Sequence, residues 1–544
     1  MNLISVESMK RLESEANLGG YTFETMMRRA GQNLALEVNE RFALLQQKNI
    51  LGLIGSGNNG GDTLIALTEL LDEGWSSCGI LMNSGNQPQT LIEEFERKGG
   101  SINIYGPSEI KSIEEAITRA RVILDGLIGT GFKPPMKSPH HELLSLIGKK
   151  RHEKTIIAVD CPSGMDCSSG EVSAETLRAD ITVCMEAVKE GLLKFPAFDY
   201  CGEIAVVDLG IPAKFKGASK ETDFVIDADF VKKHLPFRKN QSHKGSFGHL
   251  MVCGGCVNYI GAPVLAAKSA FRIGAGMVEL AIPERIFEAT AGSLIESIYL
   301  LLEDEDGVIA ESAFSTLLPR LMQSDCLLIG PGLGREEATH KFFNRVFFEP
   351  YVRSQGIRAG FVPSGPEETS RKPLEYPLFV IDADALTLLS KTPDWYTRIK
   401  TQAVLTPHPG EMARLTGMTV DEIQNDRMET ARKFAILWGQ VVVLKGALTV
   451  VASPAGQIAV LPFANAVLSK AGTGDVLSGM IAGLIAQKIP IFEAASSAVW
   501  LHARAGFHAA RKLESEISLL ASDIIDQIPV SLREITQNTP QNKF

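Results

Sequence analysis

The sequence contains no apolar run that approaches the roughly 20 residues needed for a membrane-spanning helix. Residues 1–8 carry neither a basic segment nor a long apolar one, so a secretory signal peptide is not predicted there. With neither signal present, a cytoplasmic protein is the default expectation.

An excess of basic residues is also missing, because 54 Lys and Arg stand against 64 Asp and Glu and give a net charge of −10. Nucleic-acid-binding proteins usually carry a basic stripe, so general nucleic-acid binding is not expected.

The eight cysteines are dispersed, which argues against a disulfide framework. Cys253 and Cys256 have C-x-x-C spacing, but no second pair or histidine cluster accompanies them. We favour two incidental cysteines in a glycine turn over redox or metal chemistry.

The length and composition predict a globular protein with more than one domain. Its 544 residues are 45% hydrophobic and 22% charged, which is enough apolar surface for two or more cores. A polar stretch without periodicity follows residue 212. We predict a first domain at 1–215, a linker at 216–224 and a second domain at 225–544. Another polar stretch, 354–374, is predicted to be a surface insertion.

In the first half, a buried strand at 49–54 is followed at once by the glycine-rich segment 55–62 and a helix predicted at 63–72. A strand, a glycine turn and a helix in this order bind phosphates in open α/β sheets. Two asparagines and an aspartate add side-chain amides and oxygens to the turn. A tight turn stabilised by Asx hydrogen bonds is the alternative.

Two later strands, at 122–125 and 155–160, each end on an aspartate and lead into a loop of small residues. In a parallel sheet these strand ends face one crevice, where ligands bind. Together with Asn59 and Ser163, the two carboxylates offer the oxygen ligands that hard cations prefer. Each aspartate could instead cap the next helix, but two on successive strand ends favour a site.

The motifs N-N-G-G-D, D-G-L-I-G-T-G and V-D-C-P-S-G, in this order, resemble the NAD(P)H-hydrate epimerase domain over about residues 1–215. The resemblance implies a Rossmann-like three-layer fold that interconverts the R and S forms of hydrated NADH or NADPH. It implies that Asp160 contacts the reacting group, and Asp160 is our candidate acid/base. Thr63 and the segment 133–135 depart from the usual family pattern. The implied potassium ligands are Asn59, Asp125 and Ser163. The implied substrate contacts are Asn58, Asn59, Gly60, Gly61, Asp62, Gly129, Thr130, Gly131, Phe132, Lys133, Pro134, Pro135 and Asp160.

In the second half, the glycine-rich stretch 469–479 is predicted as a turn that leads into an apolar helix at 476–486. Gly472 and Gly474 let a ligand approach the main chain closely. The helix start presents free N–H groups and a positive dipole end. Asp475 is placed there to take a proton from a hydroxyl while the N–H groups hold a phosphoryl group. The alternative is an ordinary glycine loop with Asp475 as the helix N-cap.

Four further strands of this half, within 326–334, 379–385, 403–411 and 441–449, also end in polar or glycine-rich segments. They predict one α/β sheet whose active edge lies at the strand ends. With the 469–479 stretch, these segments resemble the ADP/ATP-dependent NAD(P)H-hydrate dehydratase, a branch of the ribokinase-like superfamily, over about residues 225–530. The shared motifs are H-K-G-x-x-G, Y-x-G-A-P, G-P-G-L-G, D-A-D-A-L, T-P-H-P-G-E, K-G and A-G-T-G-D-V-L-S-G.

This second resemblance implies phosphorylation of the hydrate hydroxyl, aided by Asp475, and then loss of phosphate to restore NAD(P)H. Magnesium is expected because phosphoryl transfer needs its charge neutralised. The implied contacts to the hydrated nucleotide are Ala262, Gly332, His408 and Asp475. The implied contacts to the adenine nucleotide are Lys445, Gly446, Ala447, Leu448, Thr449 and Gly474.

Together the two halves predict a fused repair enzyme, at once an isomerase and a lyase. Its second domain would dehydrate the S form with ADP and release AMP and phosphate, since a fused chain resembles the bacterial, ADP-using form. A homo-oligomer is expected. A small-molecule kinase of vitamins or sugars would share Asp475 and its glycine turn, but not the hydratase-type motifs. The alternative that the first half is a non-catalytic module is disfavoured, because Asp125 and Asp160 are both present.

Overall fold

A computed structural model describes residues 1–82, 87–216, 223–349, 376–399, 401–464 and 466–536. The chain divides into two compact units, Met1–Val225 and Ile226–Phe544. The predicted insertion at 354–374 and residues 217–222 of the predicted linker lie outside the described residues. Within the described part, no helix has both the length and the apolar character of a membrane span.

The first unit alternates short buried strands with helices. Its strands are β1 (Leu3–Ile4), β2 (Asn49–Ile54), β3 (Ser76–Leu81), β4 (Ser101–Ile104), β5 (Val122–Gly126), β6 (Thr155–Val159), β7 (Ile181–Met185), β8 (Val188–Lys189), β9 (Glu203–Val207) and β10 (Phe224–Val225). Its helices are α1 (Val6–Leu18), α2 (Phe23–Arg41), α3 (Asn58–Asp72), α4 (Gln89–Arg97), α5 (Ile110–Arg119), α6 (His140–Lys149), α7 (Phe198–Cys201) and α8 (Ala213–Lys216).

Seven of these strands form one sheet in the order β4-β3-β2-β5-β6-β7-β9, and every neighbouring pair is parallel. Strand side chains alternate between two apolar cores: Ile50 and Ile54 face one core, whereas Leu51 and Leu53 face the other. The strand order reverses between β2 and β5, and open sheets bind ligands at this switch point. The predicted Rossmann-like three-layer fold is therefore confirmed.

One predicted boundary in this unit is wrong. Helix α3 begins at Asn58 rather than at Thr63, because Gly57 already serves as its N-cap. The N-N-G-G-D segment is therefore the first turn of a helix and not a loop in front of it.

The second unit repeats the alternation on a larger scale. Its helices are α9 (Ala228–His234), α10 (Gly261–Arg272), α11 (Phe287–Ala291), α12 (Phe314–Leu321), α13 (Glu337–Phe348), α14 (Ala383–Leu389), α15 (Pro409–Thr416), α16 (Val420–Asn425), α17 (Arg427–Trp438), α18 (Thr473–Ala486), α19 (Ile491–Leu513) and α20 (Ala521–Thr536). Its strands are β11 (His249–Cys253), β12 (Met277–Pro283), β13 (Ile298–Leu302), β14 (Asp304–Glu305), β15 (Val308–Ile309), β16 (Cys326–Ile329), β17 (Leu378–Ile381), β18 (Ala403–Leu405), β19 (Val441–Leu444), β20 (Val450–Ala452) and β21 (Ile458–Val460).

The strands of this unit's main sheet run β21-β20-β19-β18-β17-β16-β11-β12-β13. Pairing is parallel from β13 to β19 and antiparallel from β19 to β21. The predicted single α/β sheet is confirmed. Helix α18 starts at Thr473, three residues before the predicted 476, so Gly474 and Asp475 lie in its first turn.

Candidate active sites

A cavity of about 850 Å³ opens at the switch point of the first unit, at the carboxyl ends of β2 and β5. Helices α1 and α2 contribute the opposite wall, including Lys10 and Glu13. Gly61 and Pro134 are not among the lining residues, and Gly61 instead packs so closely on Met27 that a Cβ would meet its sulfur at 2.4 Å. The predicted substrate residues that line the cavity are Asn58, Asn59, Gly60, Asp62, Gly129, Thr130, Gly131, Phe132, Lys133, Pro135 and Asp160.

Asp160 is held by the main chain and by a buried lysine. Its backbone lies in the left-handed region, with a φ of 68°, a strained conformation that clusters at functional sites. Its Oδ1 accepts the Met185 N–H at 2.9 Å and a hydrogen bond from Lys189, which also donates to the Met185 carbonyl at 2.9 Å. Burial disfavours the ammonium, but the charge of Asp160, its hydrogen bond and the neighbouring thiols together raise the pKa of Lys189.

Sequence reasoning missed Lys189, which lies 29 residues after Asp160 on the two-residue strand β8. No motif surrounds it, and only the tertiary fold, in which β8 follows β7 beside the end of β6, brings the two side chains together. The alternative role of Asp160 as a helix cap is excluded, because Ala197 occupies the N-cap of the next α-helix.

Two further carboxyl groups in this cavity are electrostatically perturbed. Burial, followed by repulsion from Asp160, raises the pKa of Asp62 well above its ordinary value. Burial and Asp160 also raise the pKa of Glu13, while Lys189 and Lys10 oppose that rise. The cavity therefore favours protonation of carboxyl groups that would be ionised in water.

Two of the predicted potassium ligands, Asp125 and Ser163, contact each other, and the third, Asn59, lines the cavity. Asp125 is fully buried and accepts the Ser163 hydroxyl at 2.6 Å and the Ser163 N–H at 2.9 Å. Among the described residues no Lys, Arg or His pairs with Asp125, and burial raises its pKa. Asn59 donates to the Val159 carbonyl at 2.6 Å, and its amide oxygen lies toward Gly129. A buried carboxylate without a cationic partner, surrounded by oxygens, fits a bound monovalent cation.

The loop that carries Gly129–Pro135 is anchored at Lys133. Its ammonium donates to Asp166 at 2.6 Å, and Asp166 also accepts the Ser168 N–H at 2.9 Å. Burial opposes the charge of Asp166, but the Lys133 hydrogen bond and the backbone donors lower its pKa to about 2. This ion pair positions the loop against the 160–169 segment.

In the second unit, no side chain caps the start of helix α18. Gly472 is its N-cap, with a φ of 88° and no side chain to bond the first N–H groups. The alternative of Asp475 as the N-cap is therefore excluded. Asp475 lies within the first turn, where burial and then Asp382 raise its pKa to about 7. An uncapped helix start of this kind binds anions.

Lys445 is the cation at this edge of the sheet. Its ammonium donates to Asp382 at 2.7 Å and lies 3.8 Å from a carboxylate oxygen of Glu411. Gly474 is adjacent, because a Cβ there would be 3.6 Å from the same nitrogen. Burial disfavours the charged form of Lys445, but the negative charges of Asp382 and Glu411 raise its pKa. Burial raises the pKa of Glu411 to about 7 despite Lys445.

The remaining predicted residues border the same strand ends. His408 is the N-cap of α15, where its Nδ1 accepts the Gly410 N–H at 3.0 Å, and burial lowers its pKa. Gly332, with a φ of 63°, lies beside Ala262, since a Cβ on it would be 3.2 Å from that of Ala262.

The segment after Lys445 folds back on itself. The Thr449 hydroxyl donates to the Gly446 carbonyl at 2.8 Å, and Leu448 has a φ of 54°. Arg427 donates to the Lys445 carbonyl at 3.2 Å and would contact a Cβ on Gly446. The backbone of the 445–449 segment, which includes Ala447, is thereby fixed at the strand end. Sequence reasoning named neither Arg427 nor the cluster partners Asp382 and Glu411 as site residues, although both carboxylates lie inside quoted motifs.

No group of three His, Cys, Asp or Glu side chains in the described part of the chain is arranged as a complete metal site. Magnesium is commonly held by one or two carboxylates together with substrate phosphates and waters. Asp382, Glu411 and Asp475 converge on one lysine, and burial, with repulsion from Asp382, raises the pKa of Glu411 and of Asp475 to about 7. This donor set fits a magnesium ion that is bound mainly through a nucleotide.

Two α/β units, each with polar side chains at the carboxyl ends of its parallel strands, define a ligand-binding α/β protein with one candidate site in each unit. Comparison with known families agrees with this division. A family described as "YjeF-related protein N-terminus" matches residues 23–191. A family described as "NAD(P)H-hydrate dehydratase" matches residues 250–351 and 368–530.

Full-length relatives cover both units. The bifunctional NAD(P)H-hydrate repair enzyme of Moorella thermoacetica is 33% identical, across 94% of this chain and 93% of the relative. That of Dictyoglomus turgidum is 31% identical across 98% and 99%, and that of Escherichia coli is 31% identical across 96% and 92%. The chain belongs to the family of bifunctional NAD(P)H-hydrate repair enzymes.

Solved structures resemble the second unit. The ADP/ATP-dependent NAD(P)H-hydrate dehydratase of Bacillus subtilis, crystallised with ATP and Mg²⁺, is 27% identical, with a TM-score of 0.46 over 58% of this chain and 100% of that one. A ribokinase-like superfamily protein of Enterococcus faecalis is 22% identical, with a TM-score of 0.46 over 58% and 96%.

Proposed function

We propose that the chain repairs hydrated NADH and NADPH with two activities, epimerisation of the R and S hydrates in the first unit and dehydration of the S hydrate in the second. The observation that carries this proposal is the 33% identity to a bifunctional repair enzyme across 94% of the chain. The geometry supports it, because each unit has its own set of polar and ionisable groups at the carboxyl ends of its parallel strands.

In the first unit, the cavity at the carboxyl ends of β2 and β5 binds the hydrate. The first-turn N–H groups of α3 and the loop at 129–135 hold its phosphates, since a helix start favours anions. Asp160 faces the reacting ring and exchanges the proton. A potassium ion held by Asn59, Asp125 and Ser163 would supply positive charge that balances the buried carboxylate.

In the second unit, Asp475 accepts the proton of the hydrate hydroxyl as that oxygen attacks the terminal phosphoryl group of the donor. The first N–H groups of α18, at Gly472–Gly474, stabilise the transferring group. Lys445 and the 445–449 segment bind the adenine nucleotide, and Ala262, Gly332 and His408 border the hydrate. The phosphorylated hydrate then loses phosphate and regains its double bond.

ADP is the proposed donor, with AMP and phosphate as products. Magnesium would neutralise phosphate charge when bound with the nucleotide, and Asp382 and Glu411 are the carboxylates that would hold it, which leaves Asp475 as the base. The domain bounds 1–215 and 225–544, a homo-oligomeric state and a cytoplasmic location remain predictions.

Recovery of the reduced-nicotinamide absorbance tests both activities. The substrate is a mixture of R and S hydrates of NADH, with potassium and magnesium present and ADP or ATP supplied in parallel. Complete recovery with ADP supports both activities and the donor. Recovery that stops once the S hydrate is consumed contradicts the epimerase, and no recovery with either nucleotide contradicts the dehydratase and favours a kinase of another small molecule.

The substitution Asp160→Ala separates the two units. Epimerisation should be lost while dehydration of pure S hydrate continues at the wild-type rate. Epimerisation that survives this change would show that Asp160 is not the acid/base.

A further inference from the structure

Two carboxyl groups of the first cavity, Asp62 and Asp160, lie in opposite electrostatic settings. The Oδ1 of Asp160 takes hydrogen bonds from both the Met185 N–H and Lys189, whose side chain is 1% exposed. No hydrogen bond to the second oxygen, Oδ2, occurs among the described residues, so that oxygen is free to act. Asp160 therefore has a buried ammonium in contact with its carboxyl group.

Asp62 lies in the first turn of α3, lines the same cavity and is only 5% exposed. Within the described residues it has neither a side-chain hydrogen bond nor an ion pair. A carboxyl group that is buried without a donor or a cation is stable only when it is protonated. The raised pKa of Asp62 agrees with this geometry.

We propose that Asp62 is the proton donor and Asp160 the proton acceptor of the epimerisation, and that Lys189 is the positioning residue that fixes these roles. The inference rests on the proposed epimerase activity of the first unit. Two carboxyl groups with different environments in one cavity are the usual arrangement for paired acid and base catalysis.

The chemistry of the substrate fits such a pair. Adding water to the enamine of a dihydropyridine places the hydroxyl on the ring carbon bonded to nitrogen. Asp62 gives its proton to that hydroxyl, the carbon–oxygen bond breaks, water leaves, and the nitrogen lone pair forms a planar C=N⁺. A water molecule then adds to the opposite face and passes a proton to Asp160. One proton has moved from Asp62 to Asp160, and conversion in the other direction or exchange with solvent returns it.

Other ionisable groups around the pair bear on any pH dependence. Glu13 and Lys10 face Asp160 from α1. The buried thiols of Cys161, Cys167 and Cys184 lie on the other side, toward Lys189, and burial keeps the Cys184 thiol protonated by raising its pKa. Among the described residues that line the cavity, Glu13 is the other carboxyl group that could donate the proton, and it needs its own variant.

The test is the pH dependence of epimerisation by the full chain, measured with pure R hydrate. Wild-type activity should fall as the pH rises and Asp62 ionises. The substitution Asp62→Asn should lower the rate at least ~100-fold and remove the falling limb, because the amide has no proton of the required acidity. Lys189→Met should lower the rate at least ~10-fold at every pH, because Asp160 loses the hydrogen bond that orients it, and Lys189→Arg, which keeps the donor, should restore it.

The matched controls come from an exposed pair in the same unit. Lys98 donates to Asp72 at 2.7 Å at the surface, so Asp72→Asn and Lys98→Met make the same chemical changes outside the cavity. Both should leave the profile unchanged. A thermal melt of each variant reports whether it is folded, because dehydration by the second unit does not report on the first. If Lys189→Met fails to fold, the pH profile of Asp62→Asn by itself tests the assignment of Asp62 as the proton donor.

The origin of the hydroxyl oxygen is a second, independent readout. Each inversion in ¹⁸O-labelled water should place one solvent oxygen in the product, after correction for an enzyme-free blank. Inversion without label overturns the proposed carbon–oxygen cleavage.

A falling limb that persists in Asp62→Asn but vanishes in Glu13→Gln overturns the assignment of Asp62. A wild-type chain that does not epimerise overturns the proposed function itself, whereas an active chain unaffected by Asp62→Asn overturns this inference alone.

Discussion

Replacing Lys445 by methionine removes the single ammonium group from a cluster of three carboxyl groups. Its nitrogen lies 2.7 Å from Asp382 and 3.8 Å from Glu411, and its charge also lowers the pKa of Asp475. Methionine keeps much of the side-chain volume and hydrophobic length, so the change is mainly electrostatic. With Lys445 present the pKa of Asp475 is already raised to about 7.

The expected shift follows from Coulomb's law. Two unit charges about 4 Å apart attract by about 4 kcal/mol at an effective dielectric constant of 20. This energy corresponds to about three pKa units, of which solvent and relaxation remove a large part. We therefore expect the pKa of Asp475 to rise by at least about one unit in Lys445→Met. Because the ionised carboxylate is the base, the acidic limb of dehydration moves to higher pH and the rate near pH 7 falls at least ~5-fold from this cause alone.

The assay is the rate of NADH recovery from pure S hydrate at saturating ADP and magnesium between about pH 5.5 and 9.5. Epimerisation by the same chain is the internal control for folding. Lys445→Arg, which keeps the charge, should have an acidic limb close to that of the wild type. Lys488→Met removes an exposed lysine paired with Asp325 in the same unit and should change nothing. A limb that stays in place or moves to lower pH in Lys445→Met would refute the electrostatic reasoning.

Three further predictions follow from buried contacts. Asp125→Asn should weaken activation of the epimerase by potassium at least ~10-fold, measured by titrating KCl at constant ionic strength, and an unchanged potassium response would exclude this site. Gly479→Ala should lower the stability of the second unit by about 1–3 kcal/mol in calorimetry, because the new Cβ would meet the Ala266 carbonyl oxygen at 2.1 Å. An unchanged stability would show that helices α10 and α18 can move apart without cost. Asp166→Asn should lower the melting temperature most at neutral pH. The depressed pKa of Asp166 contributes stability above about pH 4 that is lost as the pH falls through about 2, so a deficit that grows toward acid would contradict the ion pair with Lys133.

Much of the fold could be predicted because its signals are local. A buried strand followed by a glycine-rich segment and a helix, as at 49–72, depends on residues adjacent in the chain, and the predicted parallel α/β architecture is confirmed. Helix starts were harder to predict. The polar, glycine-rich segments that begin α3 at Asn58 and α18 at Thr473 resemble loops in sequence. Gly57 and Gly472 precede these helices without the side-chain caps that mark a start.

The members of the candidate sites were predictable only where a motif contains them. Asp160 and Asp475 follow directly from the segments around them, and their roles remain predictions. Lys189 has no motif, and it reaches Asp160 only because β7 and β8 fold back beside the end of β6. Gly61, which lies in the same motif as the cavity residues, faces α2 instead, because successive helix positions point in different directions.

The sequence by itself determined the two α/β halves, the glycine-rich segments at their strand ends and membership of the repair-enzyme family. The tertiary structure decided which charges meet. Lys445 and Asp382 are 63 residues apart in the chain yet 2.7 Å apart in the structure. The pKa of a carboxyl group depends on its burial and on the charges within a few ångströms, and neither quantity exists until parallel strands bring distant segments to one edge of a sheet.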